Sequence, residues 1–302
     1  MRTDPLESIL HRTLSVAQAA PIIEVASPLL QELSNFGSNA LIRCATSTKG
    51  GENEDVAAMS LYRHILEMTD ATEVLLSSSC AYPAIPLIRS SFEALISLDY
   101  ILKDGMTYVT RSLSWLVGYV NQRIQMYELL DPSTVRGQSF EQAISTDYLV
   151  QPIPLPPKAD IDSAIANLRS LLASPQFAAI DQDFQNLQQP KVWYRLYGGP
   201  NNLHDLAHRV GRAALYDFLY RHWSRVAHAQ DFGPFITATS SGRTTIRPIR
   251  DPSEMKNSAN FAATIFLVAT IAMLNKFRPG EDFSTWYERD VRQRYVQIFR
   301  RA

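Results

Sequence analysis

From Ala259 to Leu274 the chain runs Ala-Asn-Phe-Ala-Ala-Thr-Ile-Phe-Leu-Val-Ala-Thr-Ile-Ala-Met-Leu, without a single charge. A membrane-spanning helix needs about 20 apolar residues. This run is shorter and carries Asn260, Thr264 and Thr270. It reads as a central helix buried on all sides, which requires other helices to surround it. The rest of the sequence supplies them. Apolar residues recur at helical spacing through 6–44, with breaks expected at Pro21 and Pro28. Met59, Tyr62, Ile65, Leu66, Val74 and Leu75 line a long amphipathic helix from Asp55 to Ser79. Pro83 and Pro86 precede a helix at 87–102, and another fills 108–130.

Residues 131–160 read as irregular, with Pro152-Ile153-Pro154-Leu155-Pro156-Pro157 as a stiff extended linker at about 151–158. Asp160 or Asp162 is expected to cap a helix to about 173, with a short helix after Pro175. Then come Leu203–His208, a longer helix at about 212–229, and two closing helices at about 253–276 and 283–299. The one hairpin signal is Phe235–Thr239 and Thr244–Pro248 flanking Ser240-Ser241-Gly242-Arg243. The expected fold class is an all-α helical bundle with a long buried apolar helix and one short β-hairpin insertion. Residues 1–50 are expected to form an N-terminal helical extension and 53–302 a single helical domain.

A formal net charge of -1 excludes a protein that coats nucleic acid non-specifically. The charge is uneven, however. Lys191, Arg195, Arg209, Arg212, Arg221 and Arg225 face only Asp205 and Asp217 between Lys191 and His228, a window that also holds four of the six histidines. Residues 51–104 are acidic by contrast. Cys44 and Cys80 are too few for a disulfide scaffold, which fits a reducing cytoplasmic setting. The N-terminus has no signal-peptide pattern. No phosphate-loop or dinucleotide motif occurs, and no cofactor is expected.

The basic window holds the candidate site. In Tyr220-Arg221-His222-Trp223-Ser224-Arg225-Val226-Ala227-His228, positions 221, 224 and 228 share one helix face. Arginine holds phosphate bidentately, and histidine titrates near neutrality. With an RNA phosphate on this stripe, Arg221 neutralises developing charge while His228 takes the proton from the adjacent 2′-hydroxyl. No metal is required, because the nucleophile is already held beside its phosphorus. Seven residues separate the pair by roughly 10 Å along the axis, so they grip a substrate between them. Ser224 orients His228 or bonds a phosphate oxygen; Tyr220, His222 and Arg225 support the stripe. The plain structural reading is an Arg and a Ser tying down a loop beside a packed His.

Two further groups bear on the site. Arg89 and Glu93 form an i, i+4 pair on an apolar helix, either fixing helix register or facing His228 across the bundle. His204 and His208 stand at i, i+4, a zinc-compatible spacing, with Asp205 where a zinc protease has Glu. Metal is the alternative reading there. The basic C-terminal helix, with Arg289, Arg292, Arg294, Arg300 and Arg301, is read as a solvated face.

The block Trp193-Tyr194…Leu203-His204-Asp205-Leu206-Ala207…Tyr216…Tyr220-Arg221-x-x-Ser224-x-x-x-His228-Ala229 resembles a bacterial helical family of undetermined function with an Arg-x-x-Ser-x-x-x-His signature. Arg89-Ser90-Ser91-Phe92-Glu93 leading into Tyr100-Ile101-Leu102 resembles an earlier segment of that family, so the likeness covers about 60–230. The Arg221-His222…His228 segment is also similar to the Arg-polar-x(n)-His motif of the HEPN ribonuclease superfamily. That similarity implies a metal-independent endoribonuclease, usually dimeric, of the kind found in toxin–antitoxin and antiphage systems. Arg221 and His228 would be its catalytic pair and His222 the polar neighbour. The spacing lies at the long end of that motif, and the chain exceeds a minimal HEPN domain. RNA, a second copy of the chain and an antitoxin or defence-system partner are the implied partners; a membrane is not. The alternative is a non-catalytic binding or regulatory module whose stripe holds an anionic ligand or a partner.

Overall fold

The structure, a computed structural model, describes residues 10–48, 53–149, 155–230, 233–238, 242–247 and 249–300. Along the chain, α1 spans Arg12–Ser47, α2 Asn53–Ser77, α3 Ala81–Leu102 and α4 Tyr108–Leu129. They are followed by α5 Val135–Thr146, α6 Lys158–Leu172, α7 Ala178–Gln185 and α8 Leu203–Arg209. Next, α9 Ala213–Leu215 runs through a π-helical turn at Tyr216–Tyr220 into α10 Arg221–Ala227. Strands β1 Ile236–Ala238 and β2 Thr244–Ile246 pair antiparallel, with Ile236 opposite Ile246. Finally α11 covers Met255–Phe277, and α12 Phe283–Trp286 passes through a second π-helical turn into α13 Arg292–Arg300. The all-α class and the hairpin are as expected. The tip of the hairpin at 239–241, Pro152 and Pro154 of the expected linker, and Arg301 lie outside the described residues.

The contacts divide the chain differently from the expected boundaries. One compact unit joins the residues up to Asp104 with those from Ala207 onward, and a second is Gly105–Leu206. The N-terminal helix is no appendage. Leu29, Leu30 and Leu33 of α1 are fully buried, and α1 packs on α2 and α11. Its two prolines do not break it. Each removes one backbone donor, but the carbonyls four residues earlier, on Ala17 and Glu24, belong to exposed residues that water can serve. The continuous apolar face then holds the helix together. The second unit has its own core, in which Val117 and Val120 of α4 meet Leu172, Phe177, Ile180 and Phe184. No shift in composition marks either of its edges, so hydrophobic pattern alone could not find them.

In the first unit α11 is the central helix, packed against α1, α2 and α3. Both α1 and α11 are long and apolar enough to cross a membrane, but 61% of the apolar window in α11 is buried against protein. The polar interruptions in α11 are satisfied internally. Thr270 Oγ1 bonds the phenolic oxygen of buried Tyr62 at 2.9 Å, and Thr264 Oγ1 bonds that of Tyr295 at 2.6 Å.

Other element boundaries also moved. Helix α3 starts at Ala81, with Pro83 in its first turn, where a missing N–H costs nothing, and Pro86 inside. The stretch read as irregular contains α5, capped by Thr134, whose Oγ1 accepts from the Gly137 N–H at 2.8 Å. Asp160 and Asp162 are not caps: Pro157 precedes α6, Asp160 lies in its first turn, and Asp162 pairs with Lys158.

Candidate functional site

Helix α10 is anchored by its apolar side. Tyr220, Trp223 and Val226 are buried at helical spacing. The Trp223 ring meets Phe92 of α3 edge-on at 6.2 Å and Phe261 of α11 at 5.3 Å. These contacts lay α10 along α3 and bring Tyr220 and His228 to the side of α3 that carries Arg89 and Glu93. The C-terminus of α10 is closed by Ala229, which adopts φ 52°. The Ala229 N–H bonds the Val226 carbonyl, and the Gln230 N–H bonds that of Arg225 at 2.8 Å, a Schellman arrangement. His228 is thereby held on the last turn, exposed to solvent.

Four side chains converge there. Arg89 Nη2 donates to the Tyr220 phenolic oxygen at 3.1 Å, and the Tyr220 hydroxyl donates to Glu93 Oε1 at 2.9 Å. Arg89 Nε lies 3.1 Å from the same Glu93 oxygen, an ion-pair contact, and its guanidinium sits 5.1 Å from the Tyr220 ring centre. On its open side, Arg89 Nη1 approaches His228 Nε2 at 3.4 Å. Arginine offers donors only, so a hydrogen bond here requires the Nε2 lone pair as acceptor. Burial would lower the Arg89 pKa, but the bond it donates to Tyr220 and the Glu93 charge outweigh it and raise it. Burial, aided by the Glu93 charge, pushes the Tyr220 hydroxyl up to about 12, so it is a neutral hydrogen-bonding bridge at neutral pH.

Arg89, Glu93, Tyr220 and His228 come together. Arg221 does not join them: its side chain is 66% exposed and reaches back to Asp217, with Nη2 3.4 Å from Oδ1. The cause is local. Asp217 stands four residues before Arg221, on the same helical face, within the π-helical turn that ends at Tyr220. Ser224 is half-buried, and its backbone carbonyl accepts the His228 N–H at 3.1 Å. His222 is half-buried and Arg225 exposed on the same helix. His204 and His208 remain one turn apart on α8. His204 Nδ1 lies 3.2 Å from Asp205 Oδ1, and His208 Nε2 lies 3.6 Å from Asp217 Oδ2.

Arg89 meets His228, the second of the two readings that the Arg89–Glu93 pair allowed, whereas helix spacing along α10 had put Arg221 with His228. The available signal was an Arg–Glu pair on an otherwise apolar helix. Such a pair must face something polar.

Fold and site together define an α-helical protein with an Arg–Tyr–Glu–His cluster at the junction of α3 and α10. A model for a family of unknown function (DUF5677) matches residues 55–242, more than half the chain, and the chain belongs to that family. The match includes Arg89, Glu93, Tyr220 and His228. No curated protein and no solved structure matches the chain.

Proposed function

We propose that the cluster is the acid–base site of a metal-independent endoribonuclease, with Arg89 as the anion clamp and His228 as the proton-transfer group. The observation that carries this reading is the 3.4 Å approach of Arg89 Nη1 to the solvent-exposed imidazole of His228. A phosphodiester entering from solvent replaces the imidazole as acceptor for Arg89 and places its neighbouring 2′-hydroxyl against His228 Nε2. The imidazole takes that proton, the 2′-oxygen attacks phosphorus, and the bond to the 5′-oxygen breaks, that oxygen taking a proton from solvent water and leaving a cyclic phosphate behind. Arg89 stabilises the charge that grows on the phosphoryl oxygens. Glu93 and Tyr220 fix the guanidinium so that this stabilisation costs no reorganisation. Arg221, Ser224, His222 and Arg225 lie on the helix that carries His228 and suit contacts to the flanking phosphates.

The resemblance of Arg221-His222…His228 to the HEPN motif implies the same reaction class and a dimer of the chain, but with Arg221 in the place that Arg89 takes in this proposal. The test is cleavage of a labelled RNA by purified protein with and without chelator. The expected products end in a cyclic phosphate, form equally with chelator present, and disappear with His228→Ala. Intact RNA bound tightly by the wild-type protein would instead establish the binding-module alternative.

A further inference from the structure

The second unit contains a cleft that the proposed reaction does not use. It has a volume of about 530 Å³ and lies between α4, α6 and α7. Ligand sites in proteins commonly fall between about 300 and 1,000 Å³. The two facing helices line it with polar side chains: Asn121, Gln125 and Glu128 from α4, and Asp181, Gln182 and Gln185 from α7. Helices that pack for stability alone turn apolar stripes toward each other. These two do so on one side, against Leu172 and Phe184, and then open around amides and carboxylates.

The charges in the cleft are not balanced. Arg169 Nη2 is matched by Glu128 Oε1 at 2.9 Å. Among the described residues Asp181 has no ion-pair partner; Lys191 Nζ instead bonds the Gln185 carbonyl at 2.6 Å and lies 3.3 Å from Gln185 Oε1. Asp181 Oδ1 accepts from Asn121 Nδ2 at 2.7 Å and from Gln185 Nε2 at 3.2 Å. Asn121 is itself buried, and its amide oxygen accepts from Gln185 at 2.7 Å, so the network holds the carboxylate in one position. A half-buried carboxylate fixed by neutral donors beside an open cleft is complementary to a positive hydrogen-bond donor. We propose that this cleft binds a small organic cation, an ammonium or guanidinium group on a short chain. Asp181 takes the charge, and the free amides of Gln125 and Gln182 take the remaining N–H and lone-pair groups.

Titration calorimetry with agmatine, which carries one guanidinium and one ammonium, tests this directly. A second arm uses a short peptide with a single Arg, so that the tighter of the two probes tells a free cation from a protein side chain. The proposal expects saturable binding of at least one probe at about millimolar concentration or below, weakened at least tenfold by Asp181→Asn. Gln182→Leu, at the exposed rim, serves as a second variant should Asp181→Asn fail to fold. A folded Asp181→Asn that binds as well as wild type overturns the proposal. So does a neutral analogue, with a urea in place of the guanidinium, that binds equally, or the absence of binding by either probe.

Discussion

Arg89 on α3 and His228 at the end of α10 are 139 positions apart in the sequence and 3.4 Å apart in space. Tyr220 and Glu93 hold the guanidinium from behind, and the imidazole meets its open side. The same helix that carries His228 also carries Arg221, two turns away and engaged with Asp217. The two arginines therefore make different predictions.

If Arg89 is the clamp, Arg89→Ala lowers RNA cleavage by about 10²–10³-fold, the scale for losing a preorganised charge-stabilising donor. His228→Ala costs about 10²–10⁴-fold, as for a general acid–base group. Arg221→Ala chiefly raises KM. Single-turnover rates at saturating RNA separate the cases. An Arg221→Ala rate as low as that of His228→Ala would return the clamp to the α10 stripe.

Tyr220→Phe keeps the buried ring but removes the hydroxyl that bridges Arg89 and Glu93. Stability should fall by about 1 kcal/mol, the net worth of such bonds, with the chain still folded. Glu93→Gln leaves the Arg89 charge, 20% exposed, without its carboxylate, and should cost about 1–3 kcal/mol. Chemical denaturation of the two variants beside wild type measures both.

Ala229 carries a side chain in the left-handed region, where glycine is unstrained. Ala229→Gly relieves that strain but loosens the unfolded chain, so a net gain of up to about 1 kcal/mol is expected. A thermal melt reads it. A lower midpoint would mean that the closing turn of α10 relies on the methyl group.

The α1–α11 contact is close at Gly37, where an added Cβ would sit 2.5 Å from the end of the fully buried Phe266 ring. The ring has nowhere to go in a close-packed core. Gly37→Ala should therefore cost about 1–3 kcal/mol by overpacking. Equal unfolding midpoints for the variant and wild type would show that α1 is not tightly seated on α11.

Asp131 sits at the turn between α4 and α5. Bonds from the Ser133 hydroxyl and backbone N–H, then from Lys158, bring its pKa down to about 2. A carboxylate whose folded pKa is depressed stabilises the folded state above its unfolded pKa and loses that effect as pH falls through the folded value. Asp131→Asn should thus melt lower than wild type at neutral pH. The gap should close between about pH 4 and pH 2. Melting both proteins across that range tests the sign; a gap that persists at pH 2 contradicts it.

Much of the fold was readable residue by residue because helical periodicity is local. The buried run at 259–274, the amphipathic helices at 55–79 and 108–130, and the hairpin near 236–246 all follow from spacings of a few residues. Where the reading failed, a non-local term decided. Pro21 and Pro28 lie inside one helix because α2 and α11 supply an apolar surface to its buried residues, which run from Ala19 to Cys44. Helix α5 was missed because its stabilising signal is one threonine hydroxyl capping a polar segment.

The site divides along the same line. Sequence alone determined which chemistry was available: His228 on a basic helix, and Arg89 with Glu93 as a charged pair that an apolar helix must accommodate. Only the tertiary structure decided which arginine the histidine meets. Helix periodicity defines neighbours within about two turns. The packing of Trp223 between Phe92 and Phe261 brought α3 to His228, while Arg221 pairs with Asp217, four residues away on its own helix.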